Sequence, residues 1–137
     1  MDTILILDGD AANLHGIGAV LRSQHYGVLE ASSHSQAVEL GTTCGPLALL
    51  VTDIDLDQYS STEVAMKLVA AYPTLPVLLV SSTPMVLWMS HDASNFKLLP
   101  PPGIDFLEKP YSVSDLLIKV QNLIGRTSKA QANRAAA

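Results

Sequence analysis

The most constraining feature of the chain is LALLVTDIDLD at residues 47–57, an apolar run that ends in three alternating carboxylates. Gly45 and Pro46 precede it, and a continuous apolar run bounded in this way is typical of a β-strand buried on both faces. Such strands belong to parallel sheets that helices cover on both sides. Asp53 then lies at the carboxyl end of its strand, where the loops of these sheets form a crevice for ligands.

Four further apolar runs, at residues 4–7, 28–32, 75–82 and 104–110, alternate with segments whose apolar residues recur at helical spacing. Parallel strands are connected by right-handed crossovers that place each helix on a face of the sheet. The alternation therefore predicts an α/β fold, a doubly wound five-stranded parallel sheet in a three-layer sandwich.

Helix boundaries are predicted from caps and glycines. Capping patterns occur at SHSQ (33–36), at SSTE (60–63) and at Ser112. Each puts a serine hydroxyl where it can accept from a free N–H of the first turn. Gly27, Gly41 and Gly125 are predicted to end the first, second and last helices, because glycine commonly follows a helix.

Length and charge set broad limits. The 137 residues suit one domain, which we place at residues 1–125, followed by a flexible tail or linker at 126–137. Up to residue 125 the chain has 5 basic and 13 acidic residues, a net charge of −8, and 3 basic residues follow. Such an acidic body argues against direct nucleic-acid binding. No run approaches a membrane span or a signal peptide, so we expect a cytoplasmic protein.

The predicted strands end in a chemically coherent set of side chains. These are Asp8 and Asp10 after the first strand, Asp53 after the third, Ser81 after the fourth and Lys109 after the fifth. Carboxylates crowded at one edge repel one another, and Mg²⁺ relieves such repulsion. A carboxylate can also attack a phosphoryl group, whose charge an ammonium and a hydroxyl then stabilise.

In these residues the sequence resembles the receiver domains of two-component response regulators. The resemblance covers residues 3 to about 125 and depends on ILILDGD, LLVTDIDL, PVLLVSS and FLEKP occurring in that order. It implies the flavodoxin-like strand order 2-1-3-4-5 and phosphorelay signalling. A sensor histidine kinase or histidine phosphotransfer protein would supply the phosphoryl group, and an unknown downstream protein would receive the signal.

The resemblance also implies a role for each site residue. Asp53 would be the phosphoacceptor, and Ser81 would be the switch hydroxyl. Lys109 would supply the phosphate-binding ammonium, with a cis peptide bond to Pro110, and Phe106 would be an aromatic that rotates on phosphorylation. The Mg²⁺ ligands would be Asp8, Asp10, Asp53 and the backbone carbonyl of Asp55. The signal would leave through the face formed by the fourth helix, the fifth strand and the last helix, which also allows a homodimer. Such a domain is a switch and not an enzyme, although it assists its own phosphoryl transfer and hydrolysis.

Two departures from the family pattern stand out. Gly9 replaces the second of two adjacent acids, the one that binds the metal directly, so we expect weaker Mg²⁺ binding and slower phosphorylation. The stretch between Ser81 and Lys109 is longer than usual and holds three prolines at 100–102 after a predicted short helix at 85–92. A degenerate receiver that acts as a phosphate-independent interaction module is therefore the alternative.

Other interpretations of the carboxylates fit less well. A calcium loop beginning at Asp53 fails at its sixth and twelfth positions, Gln58 and Val64. The spacing of Asp53 and Asp55 also resembles haloacid-dehalogenase-type phosphatases, but those place the pair on the first strand. An ordinary strand-end serine at Ser81 and a solvated charge at Lys109 remain open.

Overall fold

The computed structural model describes residues 2–53, 58–82 and 103–136, and for residues 58–62 and 126–136 it describes the backbone alone. The elements of this part of the chain are β1 (Thr3–Leu7), α1 (Ala11–Ser23), β2 (Gly27–Ala31), α2 (His34–Thr43), β3 (Leu49–Asp53), α3 (Gln58–Ala71), β4 (Val77–Ser81), β5 (Ile104–Glu108) and α4 (Val113–Ala136). The predicted helix at 85–92 lies outside the described residues.

The five strands form one parallel sheet in the order β2-β1-β3-β4-β5, which confirms the predicted fold class and strand order. In its register Asp53 lies beside Val80, and Ser81 lies beside Glu108. The carboxyl ends of four strands therefore meet at one edge of the sheet.

Alternate side chains of each strand enter two separate cores. Leu5 and Leu7 of β1 pack in the core beneath α2 and α3, and Ile4 and Ile6 pack in the core beneath α1 and α4. The central strands β3 and β4 are buried along their whole length. Burying one such aliphatic side chain contributes about 1.5–3 kcal/mol, so this double burial fixes the strands that carry the site.

Helix α1 does not use Gly27 as its stop. His25 adopts the left-handed conformation with φ 69°. Its N–H donates to Arg22 O, and the next N–H, that of Tyr26, donates to Leu21 O. This is the Schellman pattern of helix ends, formed here without glycine. Gly27 instead begins β2, so the prediction that it ends α1 is wrong.

Gly41 lies inside α2, which continues to Thr43, so its predicted role as a helix stop is also wrong. A Cβ at Gly41 would lie 2.5 Å from Leu68 Cδ2 of α3, which no side chain could accommodate unchanged. The hydroxyl of Tyr72 donates to Gly41 O at 2.7 Å. The glycine is thus explained by close packing of α2 on α3.

Helix α4 continues through Gly125 to Ala136, which contradicts the predicted end at Gly125. An interior glycine costs about 1 kcal/mol relative to alanine, and residues with good helix propensity on both sides offset such a cost. The division of the chain into a domain of residues 1–125 and a tail stays a prediction.

Two of the three predicted caps are confirmed. Ser33 Oγ accepts from Gln36 N–H at 3.2 Å, and Ser112 Oγ accepts from Asp115 N–H at 3.0 Å. The predicted cap at residues 60–63 is wrong because α3 already begins at Gln58. Its serines lie inside the first turns of the helix.

A charged cluster joins α1 to the edge strand β2. The Glu30 carboxylate accepts from Arg22 Nη2 at 2.6 Å and lies 2.8 Å from His15 Nδ1. The hydrogen bond from Arg22 is the main reason why the pKa of Glu30 is lowered, and the charges of Arg22 and His15 act in the same direction. We call Glu30, Arg22 and His15 the Glu30 clasp.

Candidate functional site

Four polar side chains meet at the carboxyl edge of the sheet. Asp8 follows β1, Asp53 and Ser81 end β3 and β4, and Lys109 follows β5. Asp8, Asp53 and Ser81 are buried, although groups of this kind are mostly exposed in proteins. We call these four residues the acidic pocket, and they include the predicted acceptor, hydroxyl and ammonium.

A salt bridge in the acidic pocket joins Lys109 to Asp53. Lys109 Nζ lies 2.9 Å from Asp53 Oδ2, within the range of a charge-assisted hydrogen bond. The backbone N–H of Lys109 donates to Ser81 O at 2.8 Å, which holds the lysine at the end of β4. The Lys109–Pro110 peptide bond is cis, as the resemblance implied.

Asp8 interacts with both residues of this pair, and its pKa is raised. Burial is the main cause, and the charge of Asp53 and a hydrogen bond with its carboxyl also raise the pKa. The backbone N–H of Asp10, which donates to Asp8 Oδ1 at 2.8 Å, and the Lys109 ammonium act in the opposite direction. The pocket therefore holds two carboxyl groups against one ammonium, so an additional cation would be bound favourably.

Asp10 lies outside this group. Its exposed carboxylate is the N-cap of α1, where Oδ1 accepts from the N–H groups of Ala12 at 2.9 Å and Asn13 at 3.3 Å. In the described part of the chain, no three His, Cys, Asp or Glu side chains are arranged to hold one metal ion. The Asp10 carboxylate is thus exposed at the start of α1, and the predicted ligand set of Asp8, Asp10 and Asp53 stays a prediction.

The residues present fit a simple magnesium site. Mg²⁺ is usually bound through one or two carboxylates and several waters, and Asp8 and Asp53 provide two carboxyl groups side by side. When bound, the ion would neutralise negative charge at Asp53. The predicted contribution of Asp55 lies outside the described residues.

The remaining predicted residue, Phe106, is half-buried on β5. It packs against the core beneath α2 and α3, and its N–H donates to Asp105 Oδ1 at 2.7 Å. This position lies two residues before Glu108, the strand partner of Ser81. Its predicted rotation on phosphorylation stays a prediction.

Sequence reasoning missed Tyr111, which lies two residues after Lys109. Burial raises the pKa of its phenol, and the charges of Asp8 and Asp53 raise it further, against the effect of Lys109. Tyr111 also lines a cavity of about 310 Å³ between α1 and the start of α4. The other lining residues are Ala12, Asn13, Gly16, Ile17, Val20, Val113 and Leu116. One indication in the sequence that Tyr111 lies near the site was its position two residues after Lys109.

Comparisons with known proteins agree with this geometry. A response regulator receiver protein from Sinorhizobium medicae WSM419 is 25% identical, with a TM-score of 0.76 over 92% of this chain and 96% of that chain. A CheY-like receiver domain protein from Methanospirillum hungatei JF-1 is 22% identical, with a TM-score of 0.79 over 95% of this chain and 98% of that one. This chain has the fold of a response-regulator receiver domain. The predicted resemblance is thereby confirmed.

One curated protein also matches the sequence. The probable transcriptional regulatory protein TcrX of Mycobacterium tuberculosis (strain ATCC 25618 / H37Rv) is 26% identical over 125 residues, which are 91% of this chain. The chain spans about half the length of that relative, 50%. No protein-family model matches the chain. In the described residues of this receiver fold, no helix is long and apolar enough to cross a membrane.

Proposed function

We propose that the chain is a phosphorelay receiver domain that accepts a phosphoryl group on Asp53. The donor would be the phosphohistidine of a sensor histidine kinase or a histidine phosphotransfer protein. In the transfer the P–N bond to the donor histidine breaks and a P–O bond forms to an Asp53 carboxylate oxygen. The chain acts as a switch for a downstream protein and not as an enzyme on a separate substrate.

The observation that carries this proposal is the contact between Lys109 Nζ and Asp53 Oδ2 at 2.9 Å. Phosphoryl transfer depends mainly on positioning and on neutralising the charge of the transferred group. An ammonium already bound to the acceptor can move with the new phosphoryl oxygens without crossing the pocket. Ser81, buried at the same edge, is the hydroxyl that we assign to one of those oxygens.

The donor would approach over the cavity between α1 and the start of α4. This cavity adjoins the pocket through Tyr111, and its wall is mostly apolar, including the exposed side chain of Val113. A partner that covers it would exclude water from the carboxylates and strengthen every charge interaction there. The receiver fold supports the proposal that the donor is a kinase or a phosphotransfer protein.

The test is incubation with acetyl phosphate and Mg²⁺, followed by mass measurement of the intact chain. One phosphoryl adduct is expected on the unmodified chain and none on Asp53→Asn. Lys109→Arg keeps a positive charge with a different geometry and is expected to slow adduct formation. An adduct that persists in Asp53→Asn would refute the assignment of the acceptor.

A phosphate-independent interaction module is the second candidate. It is favoured by Gly9, which supplies no side chain to the pocket, and by the capping role of Asp10. If no adduct forms at high acetyl phosphate and Mg²⁺, although the chain is folded by circular dichroism, the module is supported and the phosphoacceptor proposal is rejected.

A further inference from the structure

Tyr111 borders both the acidic pocket and the cavity between α1 and the start of α4. Its side chain is half-buried and packs against the core beneath these two helices. Burial is the main reason why the pKa of its phenol is raised, and the charges of Lys109, Asp8 and Asp53 also act on the phenol. Because Tyr111 lines the cavity as well, one side chain adjoins both spaces.

The two spaces differ in their access to water. In the pocket, Asp53 is only 7% exposed. The cavity has a volume of about 310 Å³, and its α1 wall includes the small residues Ala12 and Gly16. A Cβ at Gly16 would meet nothing within 4 Å, so this wall leaves room for water molecules. The ring of Tyr111 therefore covers one side of a carboxylate that is otherwise well protected from solvent.

We propose that the ring of Tyr111 is a water barrier that sets the lifetime of the aspartyl phosphate on Asp53. The inference rests on the proposed function, because it concerns the phosphorylated chain. In hydrolysis a water oxygen attacks phosphorus, the P–O bond to Asp53 breaks, and its electron pair returns to the carboxylate, while both water protons leave with the phosphate. Tyr111 forms none of these bonds, so it acts as a positioning residue that excludes the attacking water.

The hydration of cavities explains why the ring matters more than the hydroxyl. An apolar space stays dry, whereas a space that reaches charged groups offers water the hydrogen-bond partners that it needs. Truncation of Tyr111 to alanine would connect the cavity to two carboxyl groups and an ammonium. Excluding water from a site protects a reactive intermediate from hydrolysis. Phenylalanine at this position would preserve the barrier, because it keeps the ring and loses only the hydroxyl.

The test loads the full chain with acetyl phosphate and MgCl₂, removes the donor by desalting, and follows the decay of the adduct by intact mass. Tyr111→Ala is expected to shorten the lifetime by about fivefold or more, and Tyr111→Phe is expected to stay within about twofold of the unmodified chain. Tyr26→Ala is the matched control, because Tyr26 packs against the same core but precedes β2, at the sheet edge opposite the pocket. Its lifetime is expected to be unchanged.

A second-site variant tests the barrier from the opposite wall. Gly16→Leu adds a side chain to the cavity, so in the Tyr111→Ala background it is expected to recover about half or more of the lost lifetime. If Tyr111→Ala does not fold, Tyr111→Val replaces it, with an expected shortening of about threefold or more.

An unchanged lifetime in the folded Tyr111 variant that lacks the ring would overturn the proposal, as would an equal loss in Tyr111→Phe or Tyr26→Ala. A folded double variant no longer-lived than Tyr111→Ala would also overturn it. If the unmodified chain forms no adduct, the proposed function fails and this inference fails with it. An adduct of equal lifetime in every variant refutes the water barrier alone and leaves the proposed function standing.

Discussion

The acidic pocket and the Glu30 clasp are both charged clusters between strands and helices, and they differ in charge balance. In the pocket, two carboxyl groups share the Lys109 ammonium, and the pKa of Asp8 is raised. In the clasp, one carboxylate lies between a guanidinium and an imidazole, and the pKa of Glu30 is lowered. A cluster whose charges are satisfied stabilises the fold, whereas one with excess charge of one sign is prepared to bind a cation or a charged group.

The largest effect is expected when Lys109, the ammonium of the acidic pocket, is removed. Lys109→Met is expected to lower the free energy of unfolding by about 2 kcal/mol, because the buried carboxyl groups of Asp8 and Asp53 lose the positive charge beside them. The Lys109 side chain is 23% exposed, so we place the loss below that of a fully buried pair. Urea denaturation at neutral pH measures it.

Lys119 offers a matched control. Its Nζ lies 3.1 Å from Asp105 Oδ1, and its side chain is 35% exposed. Exposed pairs contribute about 0.2–1 kcal/mol, so Lys119→Met is expected to cost less than Lys109→Met. Equal losses in the two variants would contradict the special position of Lys109.

Neutralising Asp8 is expected to have the opposite effect. Its pKa is raised above the ordinary 3.8, so the folded chain binds this proton more tightly than the unfolded chain does. Ionisation of Asp8 therefore lowers the free energy of unfolding as the pH rises above 3.8, and the full loss is reached above the pKa of Asp8 in the folded chain. Asp8→Asn should raise the free energy of unfolding by about 1 kcal/mol at neutral pH and by nothing below pH 3.8.

The control for the pH series of Asp8→Asn is Asp10→Asn, because asparagine caps a helix about as well as aspartate does. That variant keeps a cap and loses only the interaction of one exposed charge with the helix dipole, so it should not show the stability gain expected of Asp8→Asn. A stability gain of Asp8→Asn that persists in acid would show that packing, and not charge, is the cause.

The clasp should respond to pH in the reverse sense. The pKa of Glu30 lies below the ordinary 4.5, so its contribution is present above that pH and is lost as the pH falls through the folded-state pKa. Glu30→Gln is expected to cost roughly 0.5–1 kcal/mol at neutral pH, since Arg22 is half exposed. Thermal denaturation at several pH values should show the variant and the unmodified chain converging in acid.

Glu39, an exposed glutamate of α2, serves as the control for this series. Glu39→Gln should change stability little at any pH. A constant gap between Glu30→Gln and the unmodified chain from neutral pH to acid would refute the electrostatic origin of the clasp.

The smallest expected effect compares two glycines of the same helix. A Cβ at Gly16 meets nothing within 4 Å, whereas one at Gly18 would lie 3.1 Å from Arg22 Nη1 and 3.3 Å from Glu30 Cδ. Gly16→Ala should stabilise the chain by about 0.5–1 kcal/mol through helix propensity. Gly18→Ala should gain about 0.5 kcal/mol less, because it crowds the clasp.

Urea denaturation of both variants, alone and in the Arg22→Ala background, resolves this difference. The gap between the two glycine variants should close once Arg22 is removed. A gap of unchanged size would mean that the clasp does not account for it.

The strands and the site edge were predictable from sequence because they depend on local patterns. Continuous apolar runs at β3 and β4 indicated strands buried on both faces, and a parallel arrangement then brings their carboxyl ends together. Asp53, Ser81 and Lys109 follow directly from that logic. The caps at Ser33 and Ser112 were predictable because an N-cap is formed by residues within one helical turn.

The glycines were not predictable, because their roles depend on contacts distant in sequence. Gly41 is required by a leucine of α3, Gly125 lies within a continuing helix, and His25 takes the left-handed position where glycine was expected. Asp10 was predicted as an Mg²⁺ ligand because it follows β1, but in the structure its carboxylate accepts hydrogen bonds from N–H groups at the start of α1. Each of these glycines was assigned a role that its distant contacts or its helix overrule, whereas the role of Asp10 as an Mg²⁺ ligand stays a prediction.

The contact between Lys109 and Asp53 also has a consequence for folding. It joins residues 56 positions apart, and Lys109 follows β5, an edge strand and the last strand in the chain. An intermediate in which β1, β3 and β4 have assembled without β5 would hold the pocket carboxyl groups together with no ammonium beside them. Such long-range contacts form slowly, because closing the loop costs chain entropy first. Arrival of the last strand therefore relieves charge repulsion as well as completing the sheet, which penalises chains that stop short of their final strand.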